Sequence, residues 1–370
     1  MFVRHYGNVC ARKARPTERR LSMNVARLVP GTELRDGIDR ILKARTGALI
    51  VLGYDEAVEA ICDGGFELDV EFSATRLREL SKMDGAVVLS ADGSRIHRAS
   101  VHLVPDPALP TGESGTRHKA AERTGRQTGR PVIAVSRSTG IVTVFAGPDR
   151  RVLQSSETIL ARVNQALTTL ERYRTRLDAT VRRLTAVELA DVATLRDVLT
   201  VLHCLELVHR LAREIAGDIE ELGVDGRQVA LQLAELVGDT DELRKLVVAD
   251  YLRGNATSDG SARLDEDVTA ALHSLGELPE LALLESANLA APLGFPATVA
   301  ALDTAVAPRG HRVLAGLPRV SRAQARALVT AFGALRALRD ASTAELAAVD
   351  GGDAQLAARV HAGLAGLAAG

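Results

Sequence analysis

A long segment without proline, from Ser155 to about Leu252, constrains the fold of this chain most. Within it, apolar residues recur at intervals of 4, 3, 7, 4 and 3, with Arg and Glu between them: Val163, Leu167, Leu170, Leu177, Val181 and Leu184. Since residues at these spacings share one face of an α-helix, the pattern predicts a long amphipathic helix. The pattern repeats over residues 195–215, and Leu222 followed by Gly223 predicts the end of a second helix. We expect these helices to form a bundle or a coiled coil. No residue pattern in this segment indicates a catalytic or binding site.

The residues before this segment, from about 23 to 153, mix short β-branched runs with Gly-rich turns. Apolar runs predict buried strands at residues 47–52 and 86–89 and further strands at 96–103, 131–135 and 141–145. The turns between them predict two hairpins, 86–89 with 96–103 and 131–135 with 141–145. Helical patterns lie between the runs, at residues 34–44, 55–62, 74–82 and 116–128. This order predicts an α/β or α+β domain that is built on a mixed sheet.

The residues after the proline-free segment predict short helices. Residues 254–261 are typical of a loop, and tight turns at 317–321 and 349–353 each lead into a helical pattern. The fold class predicted for the whole chain is therefore multidomain, α/β plus all-α. It divides into a basic N-terminal arm, a mixed-sheet domain, a helical linker domain and a C-terminal domain of short helices, at residues 1–22, 23–153, 154–307 and 308–370.

The composition excludes several classes of protein. The 370 residues include 46 Lys and Arg against 47 Asp and Glu, and 46% are hydrophobic, which is typical of a folded globular protein. Cys10, Cys62 and Cys204 form no Cys-x-x-Cys pair, which argues against a disulfide scaffold or a structural zinc site. The longest uncharged stretch, residues 286–302, is interrupted by proline and predicts no membrane span. We expect a cytoplasmic protein.

Two short motifs could carry chemistry. Asp84 and Gly85 stand just before a predicted strand, and the run from Gly115 to Lys119 stands at the start of a predicted helix. A helix N-terminus offers free N–H groups and a partial positive charge, to which Thr116, Arg117 and His118 would add donors for phosphate oxygens. Asp84 could hold Mg²⁺ or Mn²⁺ beside those phosphates. Together the motifs favour a triphosphate site without a Walker loop.

A purely structural interpretation of both motifs stays open. Asp-Gly is common in turns, and the run after Gly115 could be a capped helix start with exposed charge. The C-terminal region poses the same choice. Residues 308–339 contain Arg and His but no acid. A locally basic stretch in a neutral chain favours a surface that faces phosphate, and the alternative is a solvated face of Arg319, Arg322 and Arg326.

Three segments resemble the diadenylate cyclase domain of the DNA integrity scanning (DisA) family. They are residues 72–86 (FSATRLRELSKMDGA), 113–123 (ESGTRHKAAER) and 127–136 (QTGRPVIAVS). The resemblance extends over about 24–365, because the helical middle and a tail of two helix-hairpin-helix units also match in order.

The resemblance implies an activity and its partners. Members of the family join two ATP molecules into cyclic di-AMP and release two pyrophosphates at facing half-sites of a homo-octamer. Magnesium or manganese takes part in this reaction. The tandem helix-hairpin-helix tail binds branched DNA such as Holliday junctions, which represses synthesis and connects the activity to DNA damage and repair.

The resemblance also implies roles for individual residues. Asp84 would bind the metal and help to activate the 3′-hydroxyl, with Arg117 and His118 as its catalytic partners. The ATP-binding residues would be Gly85, Ala86, Leu103, Gly115, Thr116, Arg117, His118, Lys119, Ala120 and Ser136. DNA would meet Arg319, Arg322, Arg326 and Gly351.

Departures from the family pattern keep a second function open. The motif usually reads Gly-Thr-Arg-His-Arg, but here Lys119 takes the last place and lacks the planar fork of Arg. Ala120 stands where relatives often have Thr, and Asp353 replaces the second Gly of the second hairpin. The alternative is a DNA-junction-binding scaffold with a weakened or inactive cyclase domain. A pure oligomerisation module would leave the triphosphate residues without a role.

Overall fold

The computed structural model describes residues 28–253, 261–349 and 352–369. The chain divides into two compact units, the first of residues up to Gln165 with Ile215–Leu231, the second of Ala166–Glu214 with the residues from Gln232 onward. The predicted arm (1–22), the predicted loop apart from Ser261, and Gly351 lie outside the described residues. The predicted domain boundaries stay predictions.

In its described residues, the first unit is built on an eight-stranded mixed sheet. The strands are β1 (Ala48–Leu52), β2 (Cys62–Asp63), β3 (Phe66–Glu71), β4 (Ala86–Leu89), β5 (Arg95–Leu103), β6 (Val132–Val135), β7 (Val142–Ala146) and β8 (Asp149–Leu153). Their order is β2-β5-β4-β1-β6-β7-β8, with β3 also paired to β5. β1 runs parallel to β4 and antiparallel to β6.

Helices cover both faces of this sheet, which is why its central strands are continuous apolar runs. They are α1 (Glu33–Lys43), α2 (Glu56–Glu59), α3 (Ala74–Leu80) and α4 (Thr116–Thr128). Along β1, Ile50 and Leu52 belong to the core that α1 and α3 share, whereas Leu49 and Val51 face the core that contains Val58 of α2 and residues of α4.

The structure confirms the predicted mixed sheet, with its strands at β1, β4, β5, β6 and β7, and helices α1, α3 and α4. The helix predicted over 55–62 is wrong in its second half, because α2 ends at Glu59 and Cys62 begins β2. The sequence does not predict β2, β3 or β8. Both β3 and β8 alternate exposed and half-buried residues, so they lack the apolar run of a central strand.

The second unit is helical in its described residues. Its elements, parts of the first three belonging to the first unit, are α5 (Ser156–Leu189), α6 (Leu195–Leu222), α7 (Arg227–Val237), α8 (Thr240–Tyr251), α9 (Ser261–Gly276), α10 (His311–Ala315), α11 (Arg322–Phe332), α12 (Leu335–Asp340), α13 (Thr343–Ala347) and α14 (Ala354–Ala369). Short 3₁₀ turns connect α9 to α10. α5 and α6 confirm the two predicted long helices. Ser261, which the sequence places in a loop, instead begins α9.

The short C-terminal helices share one apolar core, to which Leu189 of α5 also contributes. Ser321 and Ser342 close capping boxes with Gln324 and Glu345, so each serine fixes the start of a helix that follows a turn. The sequence thus encodes these helix starts locally.

A buried polar cluster links α5, α8 and α10 within the second unit. The Asp250 carboxylate accepts hydrogen bonds from the backbone N–H groups of Gly310, His311 and Arg312, at 2.9, 2.6 and 2.9 Å. Glu188 accepts from the Tyr251 hydroxyl at 2.5 Å and forms an ion pair with Arg312. Burial raises the pKa of both carboxyls. A helix of five residues is therefore anchored by a carboxylate about 60 positions earlier in the chain.

Candidate active site

The strand register brings three segments to one end of the sheet. Ile50 pairs with Val87 in the parallel ladder, which sets Ala48 opposite Gly85. Ala48 also pairs with Val135, so the residues after β6 reach the same end. The start of β4, the start of β1 and the end of β6 therefore lie side by side. Asp84, predicted from its motif, and Ser136, which the family resemblance implies, flank these strand ends.

Gly85 is fixed by its backbone conformation and by a close approach. Its φ is +105°, in the region that favours glycine. A Cβ at this position would lie 2.6 Å from the backbone carbon of Ser100 and 2.8 Å from the carbonyl oxygen of Val101. The Ser100 hydroxyl also donates to the carbonyl oxygen of Asp84 at 2.7 Å. Strand β5 thus holds the Asp84–Gly85 turn and leaves the Asp84 side chain exposed.

Leu103 and Ala86 form part of the apolar floor at this end. Val101 pairs with Ala86, so Leu103 lies two positions further along β5, beside the Asp84–Gly85 turn. Both side chains are buried in the core on the α4 face of the sheet. Ala120 packs against the same core and is partly buried.

The N-terminus of α4 carries the second motif. Gly115 is its N-cap and makes no side-chain hydrogen bond there, so the first N–H groups of the helix have no side-chain cap. In the first turn, Thr116 is exposed and Lys119 is half-buried. Free N–H groups and the positive end of the helix dipole favour an anion at this position.

Arg117 reaches from α4 to the start of β1. Its guanidinium lies against Gly47, where an added Cβ would be 2.9 Å from Cζ and closer still to Nη1. The carbonyl oxygen of Val135 borders the same space, 3.2 Å from that Cβ position. Arg117 thus joins the α4 motif to the strand ends that carry Gly85 and Ser136.

His118 is oriented by the sheet beneath it. Its ring packs edge-on against Phe145 of β7, with the ring centroids 6.5 Å apart. Gly125, two turns later, allows the same strand to approach α4, since a Cβ there would be 3.3 Å from Phe145. Ser136 is half-buried after β6, where its hydroxyl accepts from the Thr139 backbone N–H at 3.3 Å.

Glu122 is a functional candidate that lies outside both sequence motifs. Its buried carboxylate accepts from the Thr111 hydroxyl at 2.6 Å, from the Gly112 N–H at 3.1 Å and from Arg126 at 2.8 Å. Burial opposes the charge, but the hydrogen bonds from Thr111, Arg126 and Gly112 outweigh it and lower the pKa of Glu122. The carboxylate therefore fixes the segment that leads into Gly115. An acid on the buried face of an amphipathic helix is the sequence signal for such a role.

Two of the three arginines predicted to contact DNA are engaged in ion pairs. Arg322 lies 3.3 Å from Glu242 of α8, and Arg326 lies 2.7 Å from Asp265 of α9. Arg319 is exposed in the turn before α11 and adopts a left-handed φ of +62°. The arginines share one region of the second unit, and local acids partly neutralise them.

The described residues contain no helix that is both long enough and apolar enough to span a bilayer.

Comparisons with known proteins match two parts of the chain to protein families. Residues 35–149 match the family described as "DisA bacterial checkpoint controller nucleotide-binding", and residues 153–302 match "DisA bacterial checkpoint controller linker region". The candidate site lies within the first match. Among solved structures, DacA from Staphylococcus aureus is 23% identical with a TM-score of 0.30, covering 38% of this chain and 92% of that chain.

Curated relatives match nearly the whole length. The DNA integrity scanning protein DisA of Kineococcus radiotolerans is 51% identical over 94% of this chain and 95% of its own. That of Corynebacterium glutamicum is 50% identical over 94% and 93%, and that of Frankia alni is 49% identical over 93% and 94%. Similarity of this extent, through both matched regions, shows that the chain belongs to the DNA integrity scanning protein DisA family.

Proposed function

We propose that this protein is a diadenylate cyclase, which condenses two ATP molecules into cyclic di-AMP and releases two pyrophosphates. One observation carries the proposal. The sheet register and the Arg117–Gly47 contact bring the Asp84–Gly85 turn, the α4 N-terminus and Ser136 to one end of the sheet. This arrangement offers a carboxylate, free N–H groups and cationic donors at the same end of the sheet.

Each residue of the site would have a role toward ATP that follows from its chemistry. N–H groups at the start of α4, with Thr116, Arg117 and His118, would bind the triphosphate and neutralise its charge. Leu103 and Ala86 would border the nucleoside, and Gly85 would let it approach the backbone. In-line displacement at phosphorus needs positioning and charge neutralisation more than covalent help, so this set suffices for one nucleotide. The attacking 3′-hydroxyl would come from the ATP of a facing protomer. We therefore propose a homo-oligomer, an octamer as in the family.

The donor set fits a divalent cation. Among the described residues, the Asp84 carboxylate makes no hydrogen bond or ion pair, and no three His, Cys, Asp or Glu side chains in those parts of the chain cluster as a cage. Mg²⁺ commonly binds through one or two carboxylates plus substrate phosphates. Asp84 would hold Mg²⁺ or Mn²⁺, which when bound would offset triphosphate charge and make the 3′-hydroxyl more acidic.

We further propose that the C-terminal helices form tandem helix-hairpin-helix units that bind branched DNA and thereby regulate synthesis. The turn before α11, with exposed Arg319 and the nearby Arg322 and Arg326, supports a backbone contact. The alternative is a DNA-junction scaffold with a weakened cyclase, which Lys119 and Ala120 favour, since a Lys cannot supply the two-point fork of an Arg.

A product assay tests the proposal. The protein is incubated with ATP and Mg²⁺ or Mn²⁺, with and without a four-way junction, and cyclic di-AMP is detected by mass spectrometry. We expect product that disappears in Asp84→Asn. It should persist in Asp36→Asn, the same change on the exposed surface of α1.

The outcomes separate the two candidates. No product from an intact oligomer would reject the cyclase, and a large gain in Lys119→Arg would then favour the weakened scaffold. Unchanged synthesis in the presence of a bound junction would reject the proposed regulation.

A further inference from the structure

The Arg117 guanidinium occupies the space that a side chain at position 47 would need. Gly47 is buried just before β1, and the Arg117 guanidinium fills the volume where a side chain at position 47 would lie. An Ala Cβ would stand 2.9 Å from Cζ of Arg117, well inside ordinary contact distance. The third neighbour, the Val135 carbonyl oxygen, is at 3.2 Å and requires only a small adjustment.

Neither the backbone nor the core explains why this residue is glycine. Gly47 is not among the glycines with positive φ, so alanine could adopt its conformation. The severe conflict is with the far end of a flexible side chain, which can swing aside at little cost in stability. The absence of a side chain at position 47 therefore matters for where the guanidinium lies and hardly for whether the domain folds.

The geometry points to Gly47 as a positioning residue for Arg117. It provides the room that holds the guanidinium at the junction of β1, β6 and the α4 N-terminus, where the proposed function places the ATP phosphates. The inference rests on that function. It assigns a role in nucleotide affinity to a residue that would touch no nucleotide itself.

The consequence is a substitution that separates affinity from stability. Gly47→Ala displaces the guanidinium from the end of the sheet, and a charge-assisted contact to phosphate is lost or lengthened. Contacts of this kind contribute enough that we expect ATP affinity to fall about tenfold. The thermal unfolding temperature should stay within a few degrees of the wild-type value.

The test uses the full chain and a substrate that cannot react. Binding of 3′-deoxyadenosine triphosphate with Mg²⁺ is measured by calorimetry for the wild type, Gly47→Ala, Arg117→Ala and the double variant. Because Gly47 acts through Arg117, Gly47→Ala should weaken binding in the wild-type background and add nothing in the Arg117→Ala background. Gly217→Ala is the matched control, since it makes the same change at an exposed helical position with no atom within 4 Å.

Each outcome separates this inference from the proposed function. A wild-type protein that does not bind the nucleotide would reject the function and this role with it. Nucleotide binding that is unaffected by Gly47→Ala would reject the positioning role alone. So would an equal loss of affinity in the Arg117→Ala background, because the substitution would then act by another route.

Discussion

Removal of the Asp250 carboxylate should release α10 from the rest of the second unit. Asp250 is almost fully buried, and its two oxygens accept three backbone hydrogen bonds at the start of that helix. In Asp250→Ala these three N–H groups lose their acceptor inside the protein. A buried donor without a partner costs about 1–3 kcal/mol, and fraying of a five-residue helix lets water recover part of that. We expect Asp250→Ala to lower the free energy of unfolding by about 3–5 kcal/mol.

Asp250→Asn should destabilise the protein less than Asp250→Ala, because the amide keeps one of the two oxygens. Gly310 and His311 both donate to one oxygen, Oδ1, while Arg312 donates to the other. An amide that keeps its oxygen towards the first pair preserves two bonds and turns its NH₂ against the third donor. The expected loss is about 2 kcal/mol, one hydrogen bond plus one unfavourable contact.

Urea unfolding followed by circular dichroism, together with hydrogen exchange of the amides of α10, measures both effects. Glu266→Ala, at an exposed position of α9, is the control and should change stability by less than about 0.5 kcal/mol. A loss below about 1 kcal/mol in Asp250→Ala, with the α10 amides still protected, would refute the anchoring argument.

Three further predictions concern the site, the C-terminal helices and pH. Gly85→Ala should destabilise the first unit by about 3 kcal/mol, since its Cβ meets the Ser100 backbone at φ +105° and neither can move aside; denaturant unfolding that matches the wild type would contradict this. Asp265→Asn should free Arg326 and steepen the salt dependence of junction binding by up to about one unit of slope, measured by fluorescence anisotropy, whereas an unchanged slope would place Arg326 outside the DNA contact. Burial, with the nearby charges of Arg309 and Arg326, lowers the pKa of His311 from 6.5 to about 4, and only the nearby charge of Asp265 opposes this. Stability from the neutral ring is therefore present above pH 6.5 and lost as pH falls towards 4; the wild type should lose about 2 kcal/mol more than His311→Gln between pH 7.5 and 4.5 in urea unfolding, and parallel losses would exclude the histidine.

Local patterns in the sequence determined the elements of the fold. The apolar runs of β1, β4 and β6 predict buried strands because a strand covered on both faces needs no alternation. The bounds of α4 follow from Gly115 before it and Gly129 after it, the latter in a left-handed conformation. The heptad-like spacing of residues 163–184 predicts α5, and leucine and valine at those positions are buried or half-buried in the structure. The motifs around Asp84 and Arg117 can also be recognised in the sequence, because each is a contiguous run of residues.

Tertiary structure alone decided which distant residues meet. No periodicity indicates that Gly47 makes room for a guanidinium 70 positions later, or that Asp250 caps a helix that begins at His311. These contacts depend on strand register and helix packing, and many weak interactions throughout the chain together determine both. The edge strands β3 and β8 escape prediction because partners from elsewhere in the sheet, and not their own mixed composition, hold them extended. A sequence records the chemistry of its residues, and the geometry that joins them arises only when the core is packed.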